Sequence, residues 1–280
     1  MRSSLKLLGD AGSQWMTHNA PRLGAALAYY AVLSLAPMLI LAVAVCGFFF
    51  GEAVVRGEVY WQVSQAVGAQ SAAVIQSLLT GINQPAGVNV AALLVLLFGS
   101  SGVFVELRDA LNYIWDVPKQ TGSGLLLFLH DRFFSFAMVI VCGFLLALSL
   151  IASELFHVFS SRTDLHFSAA VLANLNFLLA FLVKAFLFAL IYKVVPELRI
   201  EWKDVAIGAT LTAALFEIGA WLISIYLGKA GIGSAYGAAG SLVALLVWIY
   251  YSAQVFLYGA ELTHVYAQSR RRKLISNPNR

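Results

Sequence analysis

Apolar runs that contain at most one charged residue alternate with polar segments along the chain. A helix that crosses the hydrocarbon core of a membrane needs about 20 mostly apolar residues, and six runs meet or approach that length. In chain order they are Leu23–Gly51, Val88–Val105, the stretch between Arg132 and Glu154, Phe167–Tyr192, Val205–Leu227 and Ala238–Ala260. The pattern predicts an all-α integral membrane protein with six transmembrane helices.

The longest segment between predicted spans, residues 52–87, is not a simple turn. From Val59 to Ile82, apolar side chains fall on one helical face and glutamine and threonine side chains on the other, which is the periodicity of an amphipathic helix. The apolar positions are Val63, Val67, Val74, Leu78 and Ile82. We expect an external amphipathic helix between the first and second spans, which either lies on the outer leaflet or packs as a lid over the spans.

The other polar segments complete a single membrane domain. Residues 1–22 form an N-terminal interfacial segment, residues 23–267 the six-helix membrane domain, and residues 268–280 a basic tail. The run from Glu106 to Trp115 continues the second helix out of the membrane until Pro118 ends it.

Composition excludes a soluble domain, because 60% of the residues are hydrophobic and 11% are charged, against about 25% charged in soluble proteins. Fourteen of the 18 Lys and Arg residues fall on one side of the predicted spans, three on the other (Arg56, Arg162 and Lys229), and Lys184 inside a span. The positive-inside rule then predicts cytoplasmic N- and C-termini in a multi-pass plasma-membrane protein. It also explains the run Arg270–Lys273 without nucleic acid.

Enzyme signatures are absent from the sequence. It contains no GxSxG, Walker A, HExxH or dinucleotide motif, its five histidines are scattered, and Cys46 and Cys142 stand alone in apolar runs. Glu106 with Asp109 and Glu261 with His264 are the nearest approaches to a metal-binding pair. We therefore predict no catalytic residue, no metal and no cofactor, and a nuclease is disfavoured.

Two ionisable residues lie within predicted spans, Lys184 in the fourth and Glu217 in the fifth. A charge at bilayer depth costs at least about 2.5 kcal/mol, and two opposite charges at compatible depth are cheaper together than apart. We predict an intramembrane charge pair. A structural pair or a snorkelling lysine is one explanation, and a carboxylate linked to substrate or protons is the other.

Polar positions on the first and sixth spans suggest a translocation pathway. They are Tyr30, Ser34, Pro37, Gln254 and Glu261. Polar groups facing lipid remain unsatisfied at a cost of several kcal/mol, so these faces turn toward protein or water. Buried helix packing explains the same pattern, and both interpretations stay open.

Two further groups flank this route. The predicted cytoplasmic mouth consists of Glu106, Arg108, Asp109 and Asn112, and the predicted flexible outer gate of Gly233, Tyr236, Gly237 and Gly240. The small residues of the second group also suit close helix packing.

Several motifs resemble the YihY/BrkB family of bacterial inner-membrane proteins, over about residues 20 to 267. They are Gly24–Tyr30 with Ser34–Pro37, Phe98–Phe104 with Leu111–Trp115, Tyr236–Ser241, Trp248–Gln254 and Gly259–Glu261. The resemblance implies a six-helix inner-membrane protein. The family once carried the label ribonuclease BN, generally regarded as a misassignment. One branch is named as a virulence factor for serum resistance, and relatives are linked to export of envelope lipid or lipopolysaccharide.

Residues and resemblance together favour a transporter, or a factor that translocates a lipid or an envelope precursor, without an ATPase of its own. Its expected partners are membrane lipids and an amphiphilic substrate, with no nucleic acid; a homo-oligomer is one open alternative. The competing hypothesis is a membrane scaffold for envelope integrity that transports nothing.

Overall fold

A computed structural model describes residues 4–67, 72–73, 76–77, 90–118, 169–198, 200–229 and 240–276. The described part of the chain is helical and contains no strand. Its helices are α1 (Ser4–Thr17), α2 (Ala20–Phe50), α3 (Glu52–Val67), α4 (Val90–Ile114), α5 (Ala169–Val194), α6 (Trp202–Lys229) and α7 (Gly240–Ser276).

Three stretches of these helices are long and apolar enough to cross a membrane, Ala20–Ile40, Trp202–Leu222 and Leu242–Arg271. They lie in α2, α6 and α7 and match the first, fifth and sixth predicted spans. Helices α4 and α5 cover the second and fourth, whereas the third, between Arg132 and Glu154, lies outside the described residues. The all-helical class is thus confirmed for the described residues, and the count of six spans stays a prediction.

The helices pack in the order α4, α2, α7, α6, α5, with α1 against α7 and α3 against α2. The start of α2 and of α6 and the far ends of α4, α5 and α7 meet at one end of this bundle, which we call the basic end because Arg22, Arg108, Lys193 and Arg270 lie there. The largest buried cluster also lies there, with Leu111, Ile114, Tyr192, Ile200 and Leu257 among its members. Exposed side chains include Phe177, Leu182, Phe186 and Trp221. In lipid such exposure carries no hydrophobic penalty, because the surrounding solvent is itself apolar.

Two chain reversals shape the ends of α2. Asn19, between α1 and α2, has φ 51°, and Gly51, between α2 and α3, has φ 87°. Positive φ is inexpensive for glycine and tolerated by asparagine. These two residues therefore let α1 and α3 fold back on the bundle without an intervening loop.

Two helix boundaries are compared with those that the sequence predicts, the end of α7 and the extent of α3. Helix α7 does not end with the apolar run at Ala260 but continues to Ser276, because the polar residues beyond Ala260 pack against protein. The predicted amphipathic helix Val59–Ile82 overlaps α3, in which Val55 and Val59 are buried. Most of residues 68–87 lies outside the described chain, so an external amphipathic helix over the full stretch stays a prediction.

Candidate functional site

Helices α6 and α7 cross through two reciprocal glycine–threonine contacts. A Cβ added to Gly208 would meet Thr263, and one added to Gly259 would meet Thr212. Each threonine hydroxyl donates to the carbonyl oxygen one turn earlier in its own helix, at 2.7 Å from Thr212 to Gly208 and 2.8 Å from Thr263 to Gly259. The small residues allow close backbone approach, and the hydroxyls stay satisfied at the crossing.

Tyr192 of α5 completes this crossing. Its hydroxyl donates to the Phe256 carbonyl oxygen at 2.6 Å and lies 3.0 Å from the Thr212 hydroxyl. The Tyr192 side chain is fully buried. Three helices are therefore tied together by polar groups that all have partners.

The opposite side of α7 faces α2 and presents Gln254. The side-chain amide of Gln254 fills the space that a Cβ on Gly24 would need. Both polar atoms of this amide are buried, and neither has a hydrogen-bond partner among the described residues. A buried amide without partners costs about 1–3 kcal/mol, so this contact is not explained by stability.

Two turns further along the same face of α7 lies Glu261. Its carboxylate is fully buried, and Oε1 lies 2.6 Å from Nδ1 of His18, the residue that joins α1 to α2. The other oxygen, Oε2, has no hydrogen-bond partner within the described ranges. The His18 ring contacts Tyr113 of α4 edge-on, with 5.4 Å between ring centroids.

His264 lies one turn beyond Glu261 and contacts the end of α4. Its ring centroid is 4.9 Å from that of Trp115, and its Nε2 is 2.8 Å from the side-chain nitrogen of Gln268. Nδ1 of His264 and Nε1 of Trp115 are buried without partners in the described chain. Asp116 follows Trp115 with φ 52° and interacts electrostatically with both Glu261 and His264.

Two of the predicted mouth residues, Arg108 and Asn112, bind Glu197 in the connection between α5 and α6. The guanidinium of Arg108, itself buried, forms an ion pair with Glu197, and the Glu197 backbone N–H donates to Asn112 Oδ1 at 3.0 Å. Asp109 is exposed. Glu106 lies just beyond the predicted second span, and burial, followed by the nearby Asp109 carboxylate, raises its pKa.

A second ionic contact holds α7 to the start of α6. Nη1 of Arg270 lies 2.6 Å from Glu201 Oε2 and 2.9 Å from Asp204 Oδ1. Asp204 is in the first turn of α6, where a carboxylate also favours the helix dipole. The connection between α5 and α6 is thus tied to α4 on one side and to α7 on the other.

The predicted pathway residues fall into two groups. Tyr30 and Ser34 lie against Gly102 of α4, and Pro37 against Gly99; Ser34 is buried, whereas Tyr30 is 40% exposed. Gln254 instead lies against Gly24 near the start of α2, and Glu261 contacts His18 in the two-residue turn between α1 and α2. The structure therefore does not bring the five residues to one surface.

The two charges inside predicted spans do meet. Nζ of Lys184 forms an ion pair with Oε1 of Glu217, which links α5 to α6. Of the predicted outer gate, Gly233, Tyr236 and Gly237 lie outside the described residues, and Gly240 is the buried first residue of α7.

Sequence reasoning did not assign His18 and Trp115 to the site, and it considered His264 only with Glu261 as a disfavoured metal-binding pair. His18 and Glu261 are 243 positions apart, so no local spacing reveals their contact; the i, i+3 spacing of Glu261 and His264 was the one available signal. Within the described residues, no group of three or more His, Cys, Asp or Glu side chains could hold a metal ion.

Comparison with known proteins finds one family and relatives that include proteins named as UPF0761 membrane proteins. The family model of virulence factor BrkB matches residues 11–280. The chain is 26% identical over 248 residues to a UPF0761 membrane protein of Pseudoalteromonas atlantica, covering 85% of this chain and 78% of that protein. It is 24% identical over 281 residues to the putative ribonuclease-like protein YfkH of Bacillus subtilis, covering 98% and 99%.

A UPF0761 membrane protein of Psychromonas ingrahamii is 32% identical over 158 residues, which is 56% of this chain and 51% of that protein. No solved structure matches the chain.

Proposed function

The chain belongs to the family of virulence factor BrkB, and from that membership we propose that it acts in the bacterial inner membrane, moving an amphiphile such as a lipid or an envelope precursor across or between the leaflets. In this proposal the basic end of the bundle faces the cytoplasm, as do both termini, because most Lys and Arg residues lie there. The family is that of a membrane protein and not of a known enzyme.

The observation that carries the transport proposal is the buried amide of Gln254, which finds no hydrogen-bond partner in the part of the chain that the structure describes. It lies against Gly24 and has no hydrogen-bond partner among the described residues, so an unbranched apolar side chain of the same length would cost less there. A polar group kept at such a position is explained by an intermittent polar partner, such as a headgroup or water that enters between α2 and α7.

The glycine at position 24 supports the same interpretation. The amide of Gln254 enters the space beside the α2 backbone because no Cβ stands there. Small residues at that crossing allow α2 and α7 to approach closely, and the same helices separate without breaking a hydrogen bond of the Gln254 side chain. The α2–α7 contact is therefore the best candidate for the translocation route.

A scaffold without transport is the second candidate function. It is favoured by the burial of Ser34 and Glu261 in contacts between helices, which satisfies the need of polar groups to turn away from lipid. A scaffold, however, gives no reason for a buried amide at Gln254 that has no partner within the described helices.

The test uses the full chain in vesicles of phosphatidylethanolamine and phosphatidylglycerol that carry a trace of nitrobenzoxadiazole-labelled phosphatidylethanolamine. Loss of label fluorescence to external dithionite reports movement between leaflets. We expect the unaltered protein to accelerate this movement and Gln254→Met to reduce it to the rate of protein-free vesicles.

Ser252→Ala is the matched control. Ser252 lies near Gln254 in α7, but its hydroxyl donates to the Trp248 carbonyl of its own helix, so its loss should leave the rate unchanged. If the unaltered protein moves the label no faster than protein-free vesicles, or Gln254→Met moves it equally fast, the scaffold candidate replaces the transport proposal.

A further inference from the structure

The His18–Glu261 pair combines a fully buried carboxylate with incomplete hydrogen bonding. Glu261 has no exposed surface, and its one contact of hydrogen-bond length joins Oε1 to His18 Nδ1 at 2.6 Å. Its second oxygen is buried without a partner in the described part of the chain. A carboxylate in this position keeps half of its acceptor capacity unsatisfied.

The charged and titratable neighbours of the pair come from two elements, the end of α4 and α7. The end of α4 contributes Asp116 and the ring of Tyr113, and α7 contributes His264, with Arg271 beyond it. Asp116 opposes negative charge on Glu261. Arg271 is exposed and acts on His264, so it does not replace His18 as the counter-charge of the carboxylate.

Counting protons shows what the buried pair requires. With one proton fewer, a carboxylate and a neutral imidazole place a net negative charge in a buried site beside Asp116. With one proton more, the pair is neutral overall. It then consists either of a carboxyl group and a neutral imidazole or of a carboxylate and an imidazolium. Burial favours the neutral pair, because an uncompensated charge in a protein interior costs several kcal/mol.

We propose that the His18–Glu261 pair is a proton-binding site that is closed when it holds this proton, opens when the proton leaves, and supplies the coupling ion for translocation. The last part rests on the proposed function. In the releasing step the pair gives one proton to water and leaves a carboxylate and a neutral imidazole, which are hydrated once α1 and α7 separate.

The pair lies beside the contact between α1 and α7, so that breaking the pair would allow α1 to move. Beside it, Ala11 of α1 is fully buried against Leu262 and Val265 of α7, and the Tyr258 hydroxyl donates to the Leu8 carbonyl oxygen at 3.1 Å. Gln254 lies two turns from Glu261 on the same face of α7. Loss of the His18 contact therefore releases α1 and the start of α2 next to the proposed route.

The first arm measures the closure of α1 directly and does not require transport. Single cysteines at Ala11 and at Gly9 are introduced into a Cys46→Ser, Cys142→Ser background, and their modification by a polar maleimide is followed in detergent from pH 5.5 to 8.5. Gly9 is exposed and has open space around it. It corrects for the intrinsic pH dependence of the thiol.

The rate at Ala11→Cys relative to Gly9→Cys should rise with pH by up to about tenfold per pH unit, the limit for one proton. Glu261→Gln, which mimics the protonated carboxyl group, should make the ratio low and independent of pH. His18→Gln should also remove the pH dependence. A flat ratio in the unaltered background, or an equal slope in Glu261→Gln, overturns the proton site.

The second arm tests coupling in the labelled-lipid vesicles described above, with and without an imposed pH gradient. We expect the pH gradient to change the rate of label movement at least twofold for the unaltered protein. The rate for Glu261→Gln should be the same with and without the gradient. An equal response in both proteins overturns coupling. Absence of movement in every protein overturns the proposed function and with it coupling, whereas the first arm still decides the proton site.

Discussion

Along α7, the side that packs against α6 and the side that packs against α1 and α2 both carry polar residues, yet their hydrogen bonding differs. Thr263, together with Thr212 and Tyr192 opposite it, finds partners at close range. Gln254 and one oxygen of Glu261 have no partner among the described residues. The satisfied side has the features of a fixed contact, and the unsatisfied side those of a contact that exchanges partners.

This difference predicts opposite responses to substitution. Removing a polar group or adding volume on the satisfied side loses stability, because the contact is already complete. Replacing the amide of Gln254 by an apolar side chain on the unsatisfied side gains stability, because neither of its polar atoms has a hydrogen-bond partner among the described residues. Translocation activity, where it depends on the exchange of polar partners, should fall in the variants that gain stability on the unsatisfied side.

The largest expected effect is that of Gly208→Val on the α6–α7 crossing. The added side chain would collide with Thr263 and the Gly259 backbone, at a cost of about 3 kcal/mol in the free energy of unfolding. Unfolding by sodium dodecyl sulfate in mixed micelles measures this. Gly9→Val, at an exposed helix position with open space, is the control; equal stability of the two variants would contradict a close-packed crossing.

The next effect concerns the ion pair between Lys184 of α5 and Glu217 of α6. Glu217→Gln removes the partner of Lys184, which is 40% exposed, and we expect a loss of about 2 kcal/mol in the same assay. The double variant Lys184→Met, Glu217→Gln should recover most of that loss, because neither charge remains. Additive effects of the two single substitutions would show that the pair contributes no coupling energy.

The smallest effects test the comparison most directly, since they have opposite signs. Tyr192→Phe removes a hydroxyl with two close partners and should lower the free energy of unfolding by about 1 kcal/mol. Gln254→Met should raise it by about 1 kcal/mol, because the amide it removes has no partner among the described residues. Two changes of the same sign would remove the distinction between the two sides of α7.

Apolar length alone located the helices well. The predicted run Leu23–Gly51 and the helix Ala20–Phe50 differ by three residues at one end and one at the other, because hydrocarbon thickness fixes the minimum length of a span. The end of α7 could not be obtained in this way. Hydropathy detects where apolar residues stop, whereas the helix continues to Ser276 because Glu261, Thr263 and His264 are buried against protein.

The candidate site was predictable only where a charge stood out in an apolar run. Lys184 and Glu217 are conspicuous in the sequence, and their side chains meet in the structure. Gln254 was selected for its polarity, but its position beside Gly24 of a different helix, and its lack of a hydrogen-bond partner among the described residues, appear only in the fold. His18 lies in a polar segment with no distinguishing pattern, and only the fold brings it to Glu261.

The continuation of α7 also has a mechanical meaning. From the crossing at Gly259, the helix extends rigidly for about 25 Å to its end, and Arg270, roughly 16 Å along this arm, is bound to Glu201 and Asp204. A tilt of about 10° at the crossing would displace Arg270 by roughly 3 Å, as much as the length of its bond to Asp204. Helix α7 therefore acts as a lever that pivots at the contact of Gly208 and Gly259 and is restrained at Arg270. A small rotation between α6 and α7 would break an ion pair at the basic end.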